Sequence, residues 1–164
     1  ICENKNEDAS LFVHKLSGMY RYMLKNEIDT LIPLRDELAF VGMYTDLLKV
    51  RFSCGFEVRT DVPEEFMSFQ VVPCSIQMLV ENALKHNRVS PGNPLYIDMV
   101  AKDNRFIVTN TISPRMASSE ESTKVGLNYI RQQYIDLSGN DIEVIDDGKT
   151  YSVSLPLLPV QKTT

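Results

Sequence analysis

Two periods run through the hydrophobic positions of this chain. In "IQMLVENALKHN", residues 76–87, apolar side chains at 76, 79, 80, 83 and 84 fall on one side of a wheel turning about 100° per residue, which predicts a core-facing helix. The opposite arc holds Glu81, Asn82, Lys85 and His86. Phe12, Leu16, Met19, Tyr20 and Met23 predict an earlier amphipathic helix within residues 9–25, with His14, Ser17, Gly18, Arg21 and Lys25 on its polar side. After Pro33, the spacing of Phe40, Val41, Tyr44, Leu47 and Leu48 predicts another, opened by Asp36 and Glu37 as the first-turn acids that a helix dipole favours. Leu127, Ile130, Tyr134 and Leu137 form the stripe of a helix over residues 125–137.

The second period is two. "FEVRTDVP" alternates like a strand and stops at Pro63. "LYIDMVAKDNRFIVTN" reads as two strands around a Lys-Asp-Asn turn, and "DIEVIDDGKTYSVSLPL" as a second pair around Asp147-Gly148. The polar stretch "SPRMASSEESTK" separates the hairpins. Helices interleaved with hairpins predict a two-layer α/β sandwich, an α+β fold with one mixed sheet covered by helices on one face.

A length of 164 residues suits one domain with a short appended element. With 43% hydrophobic residues and no apolar run near the length of a membrane span, the chain reads as globular and not membrane-crossing. It opens at Ile1 without an initiator Met or a signal-peptide pattern, as expected of a piece of a longer protein. A net charge of −5 argues against nucleic acid or anionic lipid as partner, since both recruit clustered Lys and Arg. Cys2, Cys54 and Cys74 are odd in number and lack metal-site spacing, so free thiols are expected, with neither disulfide nor zinc. Gly-x-Ser-x-Gly and P-loop motifs are absent from the sequence.

The segment "VVPCSIQMLVENALKHN" resembles the N box of the LytS-type sensor histidine kinases, which runs close to "PPLxLQPLVENAIKH". "HKLSGMYRYML", "IPLRDELAFVGMYTDLLKVRF" and "STKVGLNYIRQQY" are similar to the same family in the same order. The resemblance implies a Bergerat-type ATP-binding domain over residues 27–160, preceded by a remnant of the dimerisation helices in 1–26 and followed by a tail, 161–164. It also implies ATP and Mg²⁺ as cofactors, a homodimer through the N-terminal helical region, and a response regulator as partner. The place it implies is a cytoplasmic domain of a bacterial protein anchored in the membrane by upstream segments.

Residue by residue, the resemblance assigns Asn82 to Mg²⁺, which takes oxygen ligands while keeping several waters. Lys85 and His86 would reach phosphate from the same helix. Glu81 would either polarise a metal-bound water or face solvent. Hydrolytic relatives place an acidic base one turn before the metal-binding Asn; Met78 stands there, and a thioether cannot take a proton from water. Asn110 stands where most of the superfamily has an adenine-binding Asp, and an amide oxygen can still accept. In the glycine box, Gly126 is expected to open the last helix and, with Leu127, to sit against phosphate, with Ser122 and Thr123 as hydroxyl donors or ordinary caps. Residues 113–124 would form a lid.

No "NPHFLFN"-like phosphoacceptor segment occurs in the sequence, and His14 reads as a solvated helix residue. The function implied is transfer of the ATP γ-phosphoryl to a histidine upstream. The alternative is a degenerate domain that relays signals by conformation and dimer contacts, since an Asp and glycines of the pattern are replaced, with Ile112 and Lys124 at two glycine places.

Overall fold

Helix α3, Ser75–His86, buries Ile76, Leu79, Val80, Ala83 and Leu84, the same five positions that the periodicity selects. The computed structural model describes residues 13, 14, 16–22, 30–52, 55–114 and 121–160, with the backbone alone at 51 and 121–124. Phe12, Met23, Lys25, Cys2, Cys54, the tail 161–164 and, of the predicted lid, residues 115–120 lie outside the described residues. Residues 13, 14 and 16–22 are helical (α1), and α2 spans Leu34–Phe52.

A five-stranded sheet runs in the order β2-β4-β5-β7-β6, from β2 (Phe56–Asp61), β4 (Leu95–Lys102), β5 (Arg105–Thr111), β6 (Glu143–Asp146) and β7 (Thr150–Pro156). β2 lies parallel to β4, and every other pair is antiparallel. A small second sheet, β1 (Ile32–Pro33) with β3 (Gln70–Val71), brackets α2 and has no counterpart in the sequence reading. The first hairpin turns on Asp103 and Asn104, both with positive φ (52° and 56°), the backbone that a two-residue turn matched to strand twist requires.

Register sets the core. Ala101, Phe106 and Leu155 form one cross-strand row, and Met99, Val108 and Val153 the next. All six are buried beneath the helices, while Asp98, Thr109 and Ser152 on the opposite face are half-buried. Each large apolar side chain fully removed from water contributes about 1.5–3 kcal/mol. Ile130 and Tyr134 of α4 (Glu121–Ser138) close the core from above. Gly55, between α2 and β2, is fixed by sterics: a Cβ there would stand 2.8 Å from Val89 Cγ1 and 3.1 Å from two backbone atoms.

Two expectations are corrected, the start of α4 and the packed side of α1. Helix α4 begins at Glu121, so Gly126 lies in its second turn and does not open it; residues 121–124 contain neither Gly nor Pro, and nothing in them stops the helix from extending toward its N-terminus. Asp36 and Glu37 stand in the first turn of α2 as expected, and Glu37 is wholly buried there, because α3 and α1 cover that side of α2 with hydrogen-bond donors. The side of α1 packed on α2 includes Gly18, 3.3 Å from Met43 Sδ at its built Cβ, and Tyr22, whose ring stacks on Phe40 at 4.1 Å. Leu16 and Tyr20 of the predicted stripe are exposed. Glycine lets α1 approach α2 closely, and that outweighs the wheel position.

Candidate functional site

Between α3, α4 and the β5-β7-β6 end of the sheet lies a cavity of about 200 Å³. Its wall is mostly apolar: Leu79 and Ala83 from α3, Val108 and Ile112 from β5 and its exit, Val153 from β7, Leu127 from α4. Polar groups enter at a few points. Asn82 and His86 project from the polar edge of α3, one turn apart, and Asn110, Tyr151 and Asp146 form a single cross-strand row over β5, β7 and β6.

Asn110 is buried, and its Nδ2 donates to the Thr111 carbonyl at 2.8 Å, which makes Oδ1 the atom turned to acceptor duty. Tyr151 has its hydroxyl pKa raised by burial first and by the Asp146 carboxylate second. Asp146 holds the Gly148 N–H at 2.9 Å and so also shapes the β6–β7 turn.

The chain leaving β5 is clipped to the end of α3. Asn87, buried, accepts the Ser113 N–H at 2.6 Å through Oδ1 and donates Nδ2 to the Ala83 carbonyl at 2.8 Å. The Arg88 N–H adds a bond to the Ser113 carbonyl at 2.7 Å. This clip holds Ile112 and Pro114 on the cavity wall.

Of the residues selected from sequence, Asn82, His86, Asn110 and Leu127 meet in the cavity. Gly126 adjoins it: a Cβ there would lie 3.4 Å from Met78 Cε and 3.9 Å from Asn82 Nδ2. Glu81 and Lys85 are exposed and are not among the lining residues; Glu81 accepts Gln77 Nε2 at 3.0 Å. Ser122 and Thr123 are in the first turn of α4, with side chains outside the described residues. Asn87, Asp146 and Tyr151 were missed. Asn87 sits inside the N-box segment itself, so that resemblance could have flagged it; the other two carry no local signal, because only strand register brings them beside Asn110.

This architecture is that of histidine kinase catalytic domains. The nucleotide-free catalytic domain of the histidine kinase ThkA superposes with a TM-score of 0.57 at 16% identity, covering 79% of this chain and 97% of that one. The family model described as histidine kinase matches residues 1–56. The sensor protein LytS of Enterococcus faecalis is 27% identical over 89% of this chain and 28% of its own length, and LytS of Bacillus cereus 36% identical over 52% and 15%. The chain is similar to the LytS-type sensor histidine kinases and spans under a third of the length of these relatives. Among the described residues no helix is long and apolar enough to cross a membrane.

Proposed function

We propose that this chain is the ATP-binding catalytic region of a two-component sensor histidine kinase, passing the γ-phosphoryl of Mg-ATP to a histidine outside residues 1–164. The observation that carries the reading is the convergence of Asn82, His86 and Asn110 on one apolar cavity, with Gly126 beside Asn82. An apolar slot with few polar groups suits a base and its sugar, with the Asn110 oxygen as acceptor for an exocyclic amino group.

The donor set fits the cation: Asn82 offers one hard amide oxygen, which suits an ion that keeps waters and takes its other ligands from phosphate. Mg²⁺, when bound, neutralises triphosphate charge. His86 holds a phosphate oxygen from the next turn, and the missing side chain at Gly126 leaves room over Asn82. Lys85 acts as a phosphate contact outside the cavity. The exposure of Glu81 and its bond to Gln77 favour its solvent-facing reading. Met78 lies against α4 one turn before Asn82 and offers no base for water, which favours phosphoryl transfer over hydrolysis.

The domain division, the dimer through the N-terminal helices, the response regulator that receives the phosphoryl group, and a cytoplasmic position in a membrane-anchored protein complete the proposal. The second reading, a relay that binds no nucleotide, is favoured only by the replaced Asp and glycines. Isothermal titration with Mg-ATP separates the two. Binding heat that disappears in Asn82→Ala supports the kinase reading, and no binding at millimolar nucleotide supports the relay.

A further inference from the structure

Helix α3 has no cap of its own. Cys74 occupies the N-cap with a left-handed backbone (φ 60°) and makes no side-chain capping bond. Two of the N–H groups at this helix start go elsewhere: Cys74 donates to Glu37 Oε2 at 3.0 Å and Ile76 to Glu37 Oε1 at 3.0 Å. An unbonded donor buried at a helix start costs about 1–3 kcal/mol, so this carboxylate from α2 replaces the usual Ser, Thr or Asp. The same Oε2 accepts the Tyr22 hydroxyl of α1. One buried side chain therefore joins three helices. Its oxygens are fixed on both sides, because Tyr22 stacks on Phe40 of α2 at 4.1 Å and 7°.

We propose that Glu37 is a positioning residue for the nucleotide site, fixing the start of α3 and hence the places of Asn82 and His86, and that the Tyr22 hydroxyl is the contact through which α1 acts on it. The inference rests on the reading of the cavity as a nucleotide site. The geometry favours coupling over simple capping. A local cap would hold α3 without reference to any other element, whereas this one shares an oxygen between the first turn of α3 and a helix nearer the N-terminus. Withdrawal of Tyr22 leaves a charged, desolvated acceptor that must recruit water or pull further on α3. Helix α3 is a rigid unit, so a change of tilt at Ile76 is carried to Asn82, six residues on.

Tyr22→Phe removes the hydroxyl and keeps the stacked ring; Glu37→Gln keeps an acceptor and removes the charge. In the 164-residue chain, both are expected to weaken Mg-ATP binding roughly tenfold in isothermal titration. Tyr22→Phe should do so in a chain that still folds, with a thermal midpoint lowered by the loss of one buried hydrogen bond, and with amide shifts at Cys74 and Ile76 that continue to Asn82 and His86. A Glu37→Gln chain that fails to fold leaves Tyr22→Phe as the decisive variant. Parent affinity in a folded Tyr22→Phe chain, or shifts that stop at Glu37 and Phe40, overturns the proposal. If the parent binds no Mg-ATP, the nucleotide reading fails instead, and the reach of the amide shifts still decides the coupling.

Discussion

Gly126 of α4 faces Asn82 of α3 with no side chain between them; a Cβ at 126 would stand 3.9 Å from Asn82 Nδ2 and 3.4 Å from Met78 Cε. Those are ordinary contact distances, so packing of the protein on itself does not demand glycine. Gly126→Ala is therefore expected to raise stability by up to about 1 kcal/mol, as alanine does in a helix interior. Mg-ATP affinity should fall at the same time, because the methyl group takes the space over Asn82. Calorimetric unfolding and titration on one sample check both signs; a stabilised variant with parent affinity removes Gly126 from the site.

Incubated with γ-labelled Mg-ATP, the chain is expected to bind nucleotide without gaining acid-labile, base-stable label. His14 is exposed on α1, and its sequence neighbours Val13 and Lys15 offer no carboxylate to take its proton during attack. His86 lines the cavity and, as the proposed phosphate contact, would not align in line with the phosphoryl group it would hold. Stoichiometric labelling lost in His14→Gln would make His14 the acceptor and end this account.

Asn87→Ala strips the Ser113 N–H and the Ala83 carbonyl of their partner. The expected cost is about 1–3 kcal/mol, the range for leaving buried polar groups unbonded. Urea unfolding measures it, and an unchanged midpoint would mean that water replaces the amide without penalty.

Asp147 accepts the Lys149 N–H at 2.8 Å, the Thr150 N–H at 2.6 Å and the Thr150 hydroxyl at 3.1 Å. These bonds favour the carboxylate and hold its pKa below the ordinary value. The stabilisation is thus present above the unfolded carboxylate pKa of about 3.9 and lost as pH falls through the lower folded value. The amide resonances of Lys149 and Thr150 should titrate with a midpoint below 3.9, a limit taken from model carboxylates at about that value. A midpoint at or above it contradicts the assignment.

The Cys74 thiol is pushed up to about 11, by burial first and by the Glu37 carboxylate second. Its alkylation, followed by peptide mass spectrometry, should be slow at neutral pH and keep accelerating into the alkaline range. Glu37→Gln should speed it at fixed pH, and no change would separate the two groups electrostatically.

Much of the site's frame was legible because its rules are local. The stripe of α3 follows from one helix burying one face, and the two-residue turn at Asp103-Asn104 from the positive φ that short polar residues tolerate. Asn82, His86 and Asn110 were reached through the resemblance, and they share a cavity because α3 packs on β5, the strand that carries Asn110.

By itself, then, the sequence determined the type and order of the helices and hairpins and the identity of the polar residues on α3, since periodicity and turn chemistry act within a few residues. Tertiary structure decided the rest. The parallel pairing of β2 with β4 and the row Asn110–Tyr151–Asp146 depend on strand register, which joins residues far apart in the chain. Glu37 is the clearest case. A first-turn acid ordinarily faces water, and only the arrival of Tyr22, Cys74 and Ile76, separated from it by 15, 37 and 39 residues, turns it into the buried cap of another helix.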